Sequence, residues 1–158
     1  MNKLQEFQED TPVPIEVHQG DCLRIYDGGV LIHSVLSVMN VGTSYGAIAR
    51  TILSTVCTGG GDEVHVCLDK YIENSIKDSE RKLCGAEDSI YTITGADRTM
   101  KHKGEKLLKN GMFKNELGKF LLKERGKNHN WSILNGKTLY ATYGGECFQY
   151  TPTSRRSQ

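Results

Sequence analysis

Several signals that assign chains to common classes are missing from this sequence. No apolar run approaches the roughly 20 residues that a membrane-spanning helix needs, and the first residues show no charged-then-apolar secretion signal. No C-x-x-C pair occurs, and the five cysteines are odd in number and widely spaced, so neither a zinc knuckle nor a disulfide framework is indicated. These absences predict an intracellular protein of the cytoplasm or nucleus that does not contact a membrane.

Two further absences narrow the chemistry. No two histidines stand four residues apart, so a zinc hydrolase has no support, and His33 is expected to be a packing residue of an apolar helix. The glycine run at residues 59–61 lacks G-x-G-x-x-G spacing and follows a predicted helix instead of a strand. The usual nucleotide-binding fingerprints are therefore excluded.

What remains is a composition typical of one globular domain, with 158 residues, 37% hydrophobic and 25% charged. We expect an extended or disordered lead-in over residues 1–20 and a folded domain over residues 21–150, which includes a mobile loop at about 85–104. Residues 151–158 are expected to form a disordered tail. Cys57 and Cys67 fall at positions patterned as core and are expected to be buried.

The domain is organised around the stretch 23–33. It reads as a short buried strand that ends on Asp27 and turns through two glycines into an apolar helix. A second β-type run, residues 64–69, ends on Asp69, and the amphipathic segment between the two runs is long enough to be a crossover helix. Because neighbouring parallel strands end at the same edge of a sheet, we expect both acids to converge there.

Two converging carboxylates suit Mg²⁺ or Mn²⁺, since hard divalent cations prefer oxygen ligands. Asp27 also stands directly before a helix, where an aspartate can cap free backbone N–H groups. Both roles, metal ligand and helix cap, stay open at this point.

The remaining periodicity predicts further helices and strands. Helices are predicted over residues 43–57, 75–83 and 105–125, the last in two pieces broken near Gly111, and strands over 137–142 and 146–150. A buried stripe is predicted on the last helix, made of Phe113, Leu117, Phe120 and Leu121.

Positive charge is concentrated between residues 98 and 127, which carry Arg98, Lys101, Lys103, Lys106, Lys109, Lys114, Lys119, Lys123, Arg125 and Lys127 against Glu105, Glu116 and Glu124. A local basic surface of this size is compatible with a phosphate backbone, and Lys103 and Lys106 are candidate nucleic-acid contacts. Lysine-rich helix faces are equally compatible with ordinary solvated surface.

Three stretches together resemble the PIN-like nuclease superfamily: Asp27-Gly28-Gly29, Val66-Cys67-Leu68-Asp69, and residues 74–81, Asn-Ser-Ile-Lys-Asp-Ser-Glu-Arg. The similarity covers about residues 20–150 and is greatest to a type found in metazoan and mobile-element-associated proteins. More remotely, it extends to the N-terminal domains of flap endonucleases and 5′-to-3′ exoribonucleases.

The resemblance implies a three-layer α/β fold, with a parallel sheet flanked by helices, and Mg²⁺- or Mn²⁺-dependent hydrolysis of phosphodiester bonds. It implies that Asp27 and Asp69 are catalytic metal ligands, and that Lys77 and Arg81 contact the scissile phosphate of RNA or DNA. Such cations offset the charge that builds on phosphoryl oxygens. A solvated helix with internal ion pairs is the alternative for residues 75–83.

The sequence departs from the family pattern at its end. The relatives continue into an acidic helix that supplies further metal ligands, whereas this chain ends in a short tail after residue 151. We therefore expect a C-terminally incomplete domain with a weak or incomplete active site, and Glu146 is a possible extra ligand. A catalytically inactive domain that binds single-stranded RNA or DNA, or a protein-interaction domain, is the alternative. A homo-oligomer or a completing partner chain is the implied assembly.

Overall fold

A computed structural model describes residues 22–71, 91–125 and 132–151. In chain order, the elements are β1 (Leu23–Asp27), α1 (Gly28–Val38), α2 (Tyr45–Cys57), β2 (Glu63–Leu68), α3 (Gly104–Leu108), α4 (Gly111–Arg125), β3 (Thr138–Tyr143) and β4 (Glu146–Tyr150). The predicted mixed α/β class is confirmed. No helix within these described ranges is long and apolar enough to cross a membrane.

The strands form one sheet in the order β1-β2-β3-β4. The first three strands are parallel, and β4 returns antiparallel to β3 through a turn in which Gly144 and Gly145 adopt φ values of 61° and 87°. These left-handed values favour glycine because it has no Cβ. The register places Asp27 opposite Cys67. The carboxyl ends of β1, β2 and β3 therefore share one edge, which we call the carboxyl edge.

Local capping explains where the helices begin. The hydroxyl of Ser44 accepts a hydrogen bond from the backbone N–H of Ala47 at 3.2 Å, so the predicted helix over 43–57 starts at Tyr45. The side chain of Asn110 accepts from the backbone N–H of Phe113 at 2.9 Å and starts α4. The predicted break near Gly111 is confirmed as the boundary between α3 and α4.

The core lies on one face of the sheet. Val64, Val66 and Leu68 alternate along β2 and are buried, as the period of a strand requires. They join one cluster with the buried residues of α1, α2, α3 and α4. The predicted stripe of α4 is confirmed because all of its members are buried: Phe113, Leu117, Phe120 and Leu121.

Two burial predictions are wrong. Within the described residues, β1 has a strand neighbour on one side only and is therefore an edge strand. Ile25 is 68% exposed because of this place in the sheet and because its side chain projects from the face opposite the core. Cys67 is exposed because its side chain also projects from the face opposite the core, whereas its neighbours Val66 and Leu68 point into the core. Cys57, which is buried on α2, agrees with the prediction.

Residues 91–103, part of the predicted loop, contain no helix or strand and pack against α2. The backbone N–H groups of Tyr45 and Gly46 donate to the carbonyls of Arg98 and Ala96, both at 2.8 Å. The backbone N–H of Met100 donates to the carbonyl of Thr43 at 2.9 Å. The predicted lead-in, the helix over 75–83 and the tail beyond Thr151 lie outside the described residues.

Candidate functional site

The turn from β1 into α1 holds Asp27 in a defined position. Its Oδ1 accepts a hydrogen bond from the backbone N–H of Val30 at 3.0 Å, and its extended backbone (φ −70°, ψ 114°) is that of an N-cap residue. The predicted cap is therefore confirmed. Within the described residues, Oδ2 of Asp27 accepts no hydrogen bond. One carboxylate oxygen serves the helix, and the other faces solvent at the carboxyl edge.

Gly28 brings this turn against the end of β2. A Cβ on Gly28 would lie 2.5 Å from Leu68 Cδ2 and 2.6 Å from the carbonyl oxygen of Cys67, which is closer than real Cβ atoms approach. Glycine is thus required for close packing here, independently of its backbone dihedral angles. The contact fixes the spacing between the two chain segments that carry the acids.

Asp69 follows the last residue of β2 and is exposed. Since Asp27 lies opposite Cys67, Asp69 stands two residues farther along the neighbouring strand. With strands about 4.8 Å apart and a rise of about 3.3 Å per residue, the two Cα atoms are roughly 8 Å apart. The two acids therefore stand on neighbouring segments at the carboxyl edge.

A cavity of about 140 Å³ lies at the carboxyl edge, and Asp69 lines it whereas Asp27 does not. Its floor is apolar, and the polar side chains that line it are those of His33, Asp69, Tyr71 and Lys114. His33 is exposed here, so the expectation that it packs in the core is wrong. The reason is its position on α1, where the buried stripe consists of Leu31, Ile32, Val35 and Leu36.

The far wall of the cavity is built by hydrogen bonds that join Lys114 and Asn115 of α4 to Tyr71, in the chain after β2. We call these contacts the clamp. Asn115 accepts from the backbone N–H of Tyr71 at 2.7 Å and donates to its carbonyl at 3.0 Å. The Lys114 ammonium donates to the Tyr71 hydroxyl at 3.0 Å and lies 4.8 Å from the centre of its ring. These contacts hold one cation at the cavity that contains Asp69.

Tyr143 supports the clamp from β3. Its hydroxyl donates to the carbonyl of Asn115 at 3.5 Å, and a Cβ on Gly118 would lie 3.1 Å from its ring. Burial raises the pKa of the Tyr143 hydroxyl above its usual 10.0, while Lys119 lowers it and Glu116 raises it by smaller amounts. The hydroxyl is consequently a neutral structural donor.

The small number of carboxylates at the carboxyl edge limits which metal ions it can bind. Within residues 22–71, 91–125 and 132–151, no group of three or more His, Cys, Asp or Glu side chains is placed to hold a metal ion. Glu146, the possible extra ligand, starts β4 opposite Tyr143 and does not join the two aspartates in such a group. Two carboxylates fit a single hydrated Mg²⁺ or Mn²⁺, which keeps several waters, but not a closed protein cage.

The other predicted contacts lie elsewhere or outside the description. Lys103 is exposed at the N-cap of α3, and Lys106 is exposed on α3 itself. Neither lysine lines the carboxyl-edge cavity. Lys77 and Arg81 lie outside the described residues. The sequence indicates Lys114 only as part of the basic stretch, and it does not predict the pairing of Tyr71 with Asn115. No local pattern signals that pairing, because its partners are far apart in the chain.

No protein-family model, curated protein or solved structure matches the chain. The resemblance to PIN-like nucleases therefore remains a prediction that the short motifs carry.

Proposed function

We propose that this chain is a PIN-like domain related to metal-dependent nucleases, and that its carboxyl edge binds Mg²⁺ or Mn²⁺ through Asp27 and Asp69. The substrate class is a phosphodiester of RNA or DNA. The site is incomplete as a catalytic centre, and cleavage is weak or absent.

The observation that carries this proposal is the pair of aspartates that terminate adjacent parallel strands. Gly28 sets the distance between their segments, and one oxygen of Asp27 is not used by its helix cap. Short carboxylates at a sheet edge offer the oxygen ligands that Mg²⁺ and Mn²⁺ prefer.

Lys114 supplies the second element that a phosphodiester site needs. Its ammonium is held at the cavity that Asp69 also lines, so positive and negative groups face the same space. An anionic phosphate would contact Lys114 while Asp27 and Asp69 hold the cation. A bound ion would polarise a phosphoryl oxygen or lower the pKa of a water molecule.

The low carboxylate count explains why cleavage is expected to be weak. Two-metal hydrolysis requires enough carboxylates to hold ions about 4 Å apart. Within the described ranges, Asp27 and Asp69 are too few for two ions. The residues fit one loosely held ion and a positioned phosphate.

The test is calorimetric titration with Mn²⁺, together with cleavage of a labelled single-stranded RNA and DNA. Asp27→Asn and Asp69→Asn are compared with Asp62→Asn, a matched control at the opposite edge of the sheet. We expect each of the first two variants to lose at least tenfold in Mn²⁺ affinity, on the order of one charged ligand contact. Wild-type affinity in both variants, or no Mn²⁺ binding by the wild-type chain, would overturn the proposal.

A catalytically inactive nucleic-acid-binding domain is the second candidate. It is favoured by the exposed cations Arg98, Lys101, Lys103, Lys106 and Lys109, for which no carboxylate partner occurs within the described part of the chain. Binding through these groups should weaken linearly with the logarithm of salt concentration, as counterion release requires. A salt-independent affinity would rule this candidate out.

A further inference from the structure

A second cavity, of about 450 Å³, lies between the start of α2, residues 91–102 and α3. We call it the 91–102 groove. Its volume falls within the range of roughly 300 to 1,000 Å³ that is usual for small-molecule sites. Neither proposed metal ligand lines it, so its chemistry is separate from that of the carboxyl edge.

The inner wall of the groove carries the hydroxyl of a buried tyrosine. Tyr45 is only 7% exposed, and its ring centroid lies 6.4 Å from that of Phe113 and 6.1 Å from that of Phe120. In residues 22–71, 91–125 and 132–151, its hydroxyl makes no hydrogen bond. Buried polar groups are nearly always satisfied by protein, water or ligand. Because Tyr45 lines the groove, its hydroxyl can bond a ligand atom or a water molecule there.

The hydroxyl is also held in its neutral, donating form. Burial raises the pKa of the Tyr45 hydroxyl above 10.0, and the nearby Tyr91 raises it further. Tyr91 lines the same groove and meets Phe113 edge to face, with ring centroids 5.4 Å apart. A second aromatic side chain is thus fixed at the wall, where a planar ring of a ligand can stack.

Three basic side chains stand at the opening: those of Arg98, Lys101 and His102 line the groove and are exposed. No carboxylate pairs with any of them within the described residues. Uncompensated positive charge beside a cavity attracts an anionic ligand, and phosphate is an anion that arginine binds through paired N–H donors and lysine binds as a point charge. Thr92, Thr94 and Thr99 add hydroxyl groups to the same lining.

The groove is preformed. Backbone bonds hold residues 96–100 against the start of α2, as described above. A Cβ on Gly46 would lie 3.0 Å from the Cβ of Ala96, so the two segments are in close contact. A rigid site loses less conformational entropy on binding than a loop that must first become ordered.

We propose that the 91–102 groove binds one nucleotide unit, with its phosphate at Arg98 and Lys101 and its base against Tyr91. The Tyr45 hydroxyl donates to an acceptor of the base or ribose. An inorganic anion would leave the aromatic wall unused, and a neutral aromatic compound would leave the cations unused. The nucleotide is either free or part of a single strand. Binding requires no metal ion, and the site goes beyond the function proposed for the carboxyl edge.

The first experiment is calorimetric titration of the full chain in EDTA with four probes: uridine monophosphate, uridine, inorganic phosphate and oligouridylate. We expect the monophosphate to bind at least tenfold more tightly than uridine or phosphate. Oligouridylate binding tenfold tighter than the monophosphate assigns the groove to a strand, and equal affinity assigns it to the free nucleotide. No monophosphate binding at millimolar concentration, or equal affinity for phosphate alone, would overturn the proposal.

The second experiment assigns the binding to this groove. Tyr45→Phe keeps the ring packing and removes only the hydroxyl, and it should weaken monophosphate binding about three- to tenfold, the value of one hydrogen bond. Arg98→Gln should weaken it by about tenfold or more, since a charged contact is lost. Arg50→Gln, an exposed arginine on α2 outside the groove, should bind like wild type.

Wild-type affinity in both Tyr45→Phe and Arg98→Gln would show that the ligand binds elsewhere and would overturn the assignment. Asp69→Asn distinguishes this proposal from the one for the carboxyl edge. We expect it to lose Mn²⁺ affinity while it retains monophosphate binding in EDTA.

Discussion

The two edges of the sheet carry similar polar groups but use them differently. At the opposite edge, where β1, β2 and β3 begin and which we call the amino edge, the Arg24 guanidinium donates to the carbonyl of Thr58 at 2.9 Å. Lys137, which is only 8% exposed, donates its ammonium proton to the carbonyl of Gly61. Both cations hold the glycine-rich connection between α2 and β2 in place. The polar groups of this edge are used to stabilise the fold.

At the carboxyl edge, the polar groups leave bonding capacity unused. Asp27 gives one oxygen to its helix cap, and within the described residues Asp69 makes no hydrogen bond. His33 and Asp69 line a cavity that Lys114 also reaches. A charged group whose bonding capacity is not used up by the fold is therefore a candidate for function. Substitutions at the two edges should therefore separate stability from binding.

The largest effect is expected from Gly28→Ala, because the added Cβ would overlap Leu68 and the carbonyl of Cys67. Overpacking of this kind should lower the free energy of unfolding by about 3 kcal/mol. The variant should also lose Mn²⁺ affinity, since the segments that carry the two acids must move apart. Denaturant unfolding and calorimetry measure the two effects.

Gly60→Ala is the matched control for this variant. A Cβ at Gly60 would meet nothing within 4 Å, and its φ lies outside the left-handed region. We expect a change within about 0.5 kcal/mol. An equal loss of stability in Gly28→Ala and Gly60→Ala would contradict the close approach at the carboxyl edge.

The next effect concerns the amino edge. Lys137→Met keeps the aliphatic stem and removes the ammonium that bonds Gly61, so it should lower the free energy of unfolding by about 2 kcal/mol. Lys109→Met, at an exposed lysine, should change it by less than about 0.5 kcal/mol. Mn²⁺ affinity should stay at the wild-type value in Lys137→Met. A loss of Mn²⁺ affinity in Lys137→Met would contradict the claim that the amino edge stabilises the fold without taking part in binding.

A smaller effect separates the two roles of Asp27. Asp27→Ala removes the N-cap and should cost about 1 kcal/mol, whereas Asp27→Asn retains a capping oxygen and should cost only a few tenths. Both variants should lose Mn²⁺ binding equally because both remove the carboxylate charge. If only the alanine variant lost Mn²⁺ affinity, Asp27 would act on the ion through helix capping alone.

The smallest effect is a pH dependence in alkaline solution. The raised pKa of Tyr45 means that the folded chain keeps its phenolic proton above pH 10.0, where the unfolded chain begins to release it. The stability that this group contributes is fully present below pH 10.0 and declines as the pH rises through the raised value. Tyr45→Phe should lose less stability than wild type in unfolding experiments between about pH 9 and 11.

Local patterns predicted much of the fold. The spacing of Ile48, Ile52 and Val56 predicted α2, and the β-type runs that end on acids predicted the carboxyl edge. The cap at Asp27 followed from its place before a helix. These features depend on neighbours in the chain, and the sequence displays such neighbours directly.

The rest depends on contacts between distant residues. The exposure of Ile25 follows from the place of β1 at the edge of the sheet, which the run of residues 23–27 does not encode. The clamp of Tyr71 by Asn115 joins segments with no shared pattern. Whether the Tyr45 hydroxyl finds a hydrogen-bond partner depends on which residues the fold places around it, and among the described residues it finds none. Tertiary packing, and not local propensity, decides all three.

The most direct test of the shared ion is a crystal soaked in Mn²⁺ and measured for anomalous scattering. We expect one peak at the carboxyl edge, about 2.2 Å from an oxygen of Asp27 and an oxygen of Asp69. A peak bound to only one of these aspartates, or no peak at this edge, would contradict the pairing of the two acids.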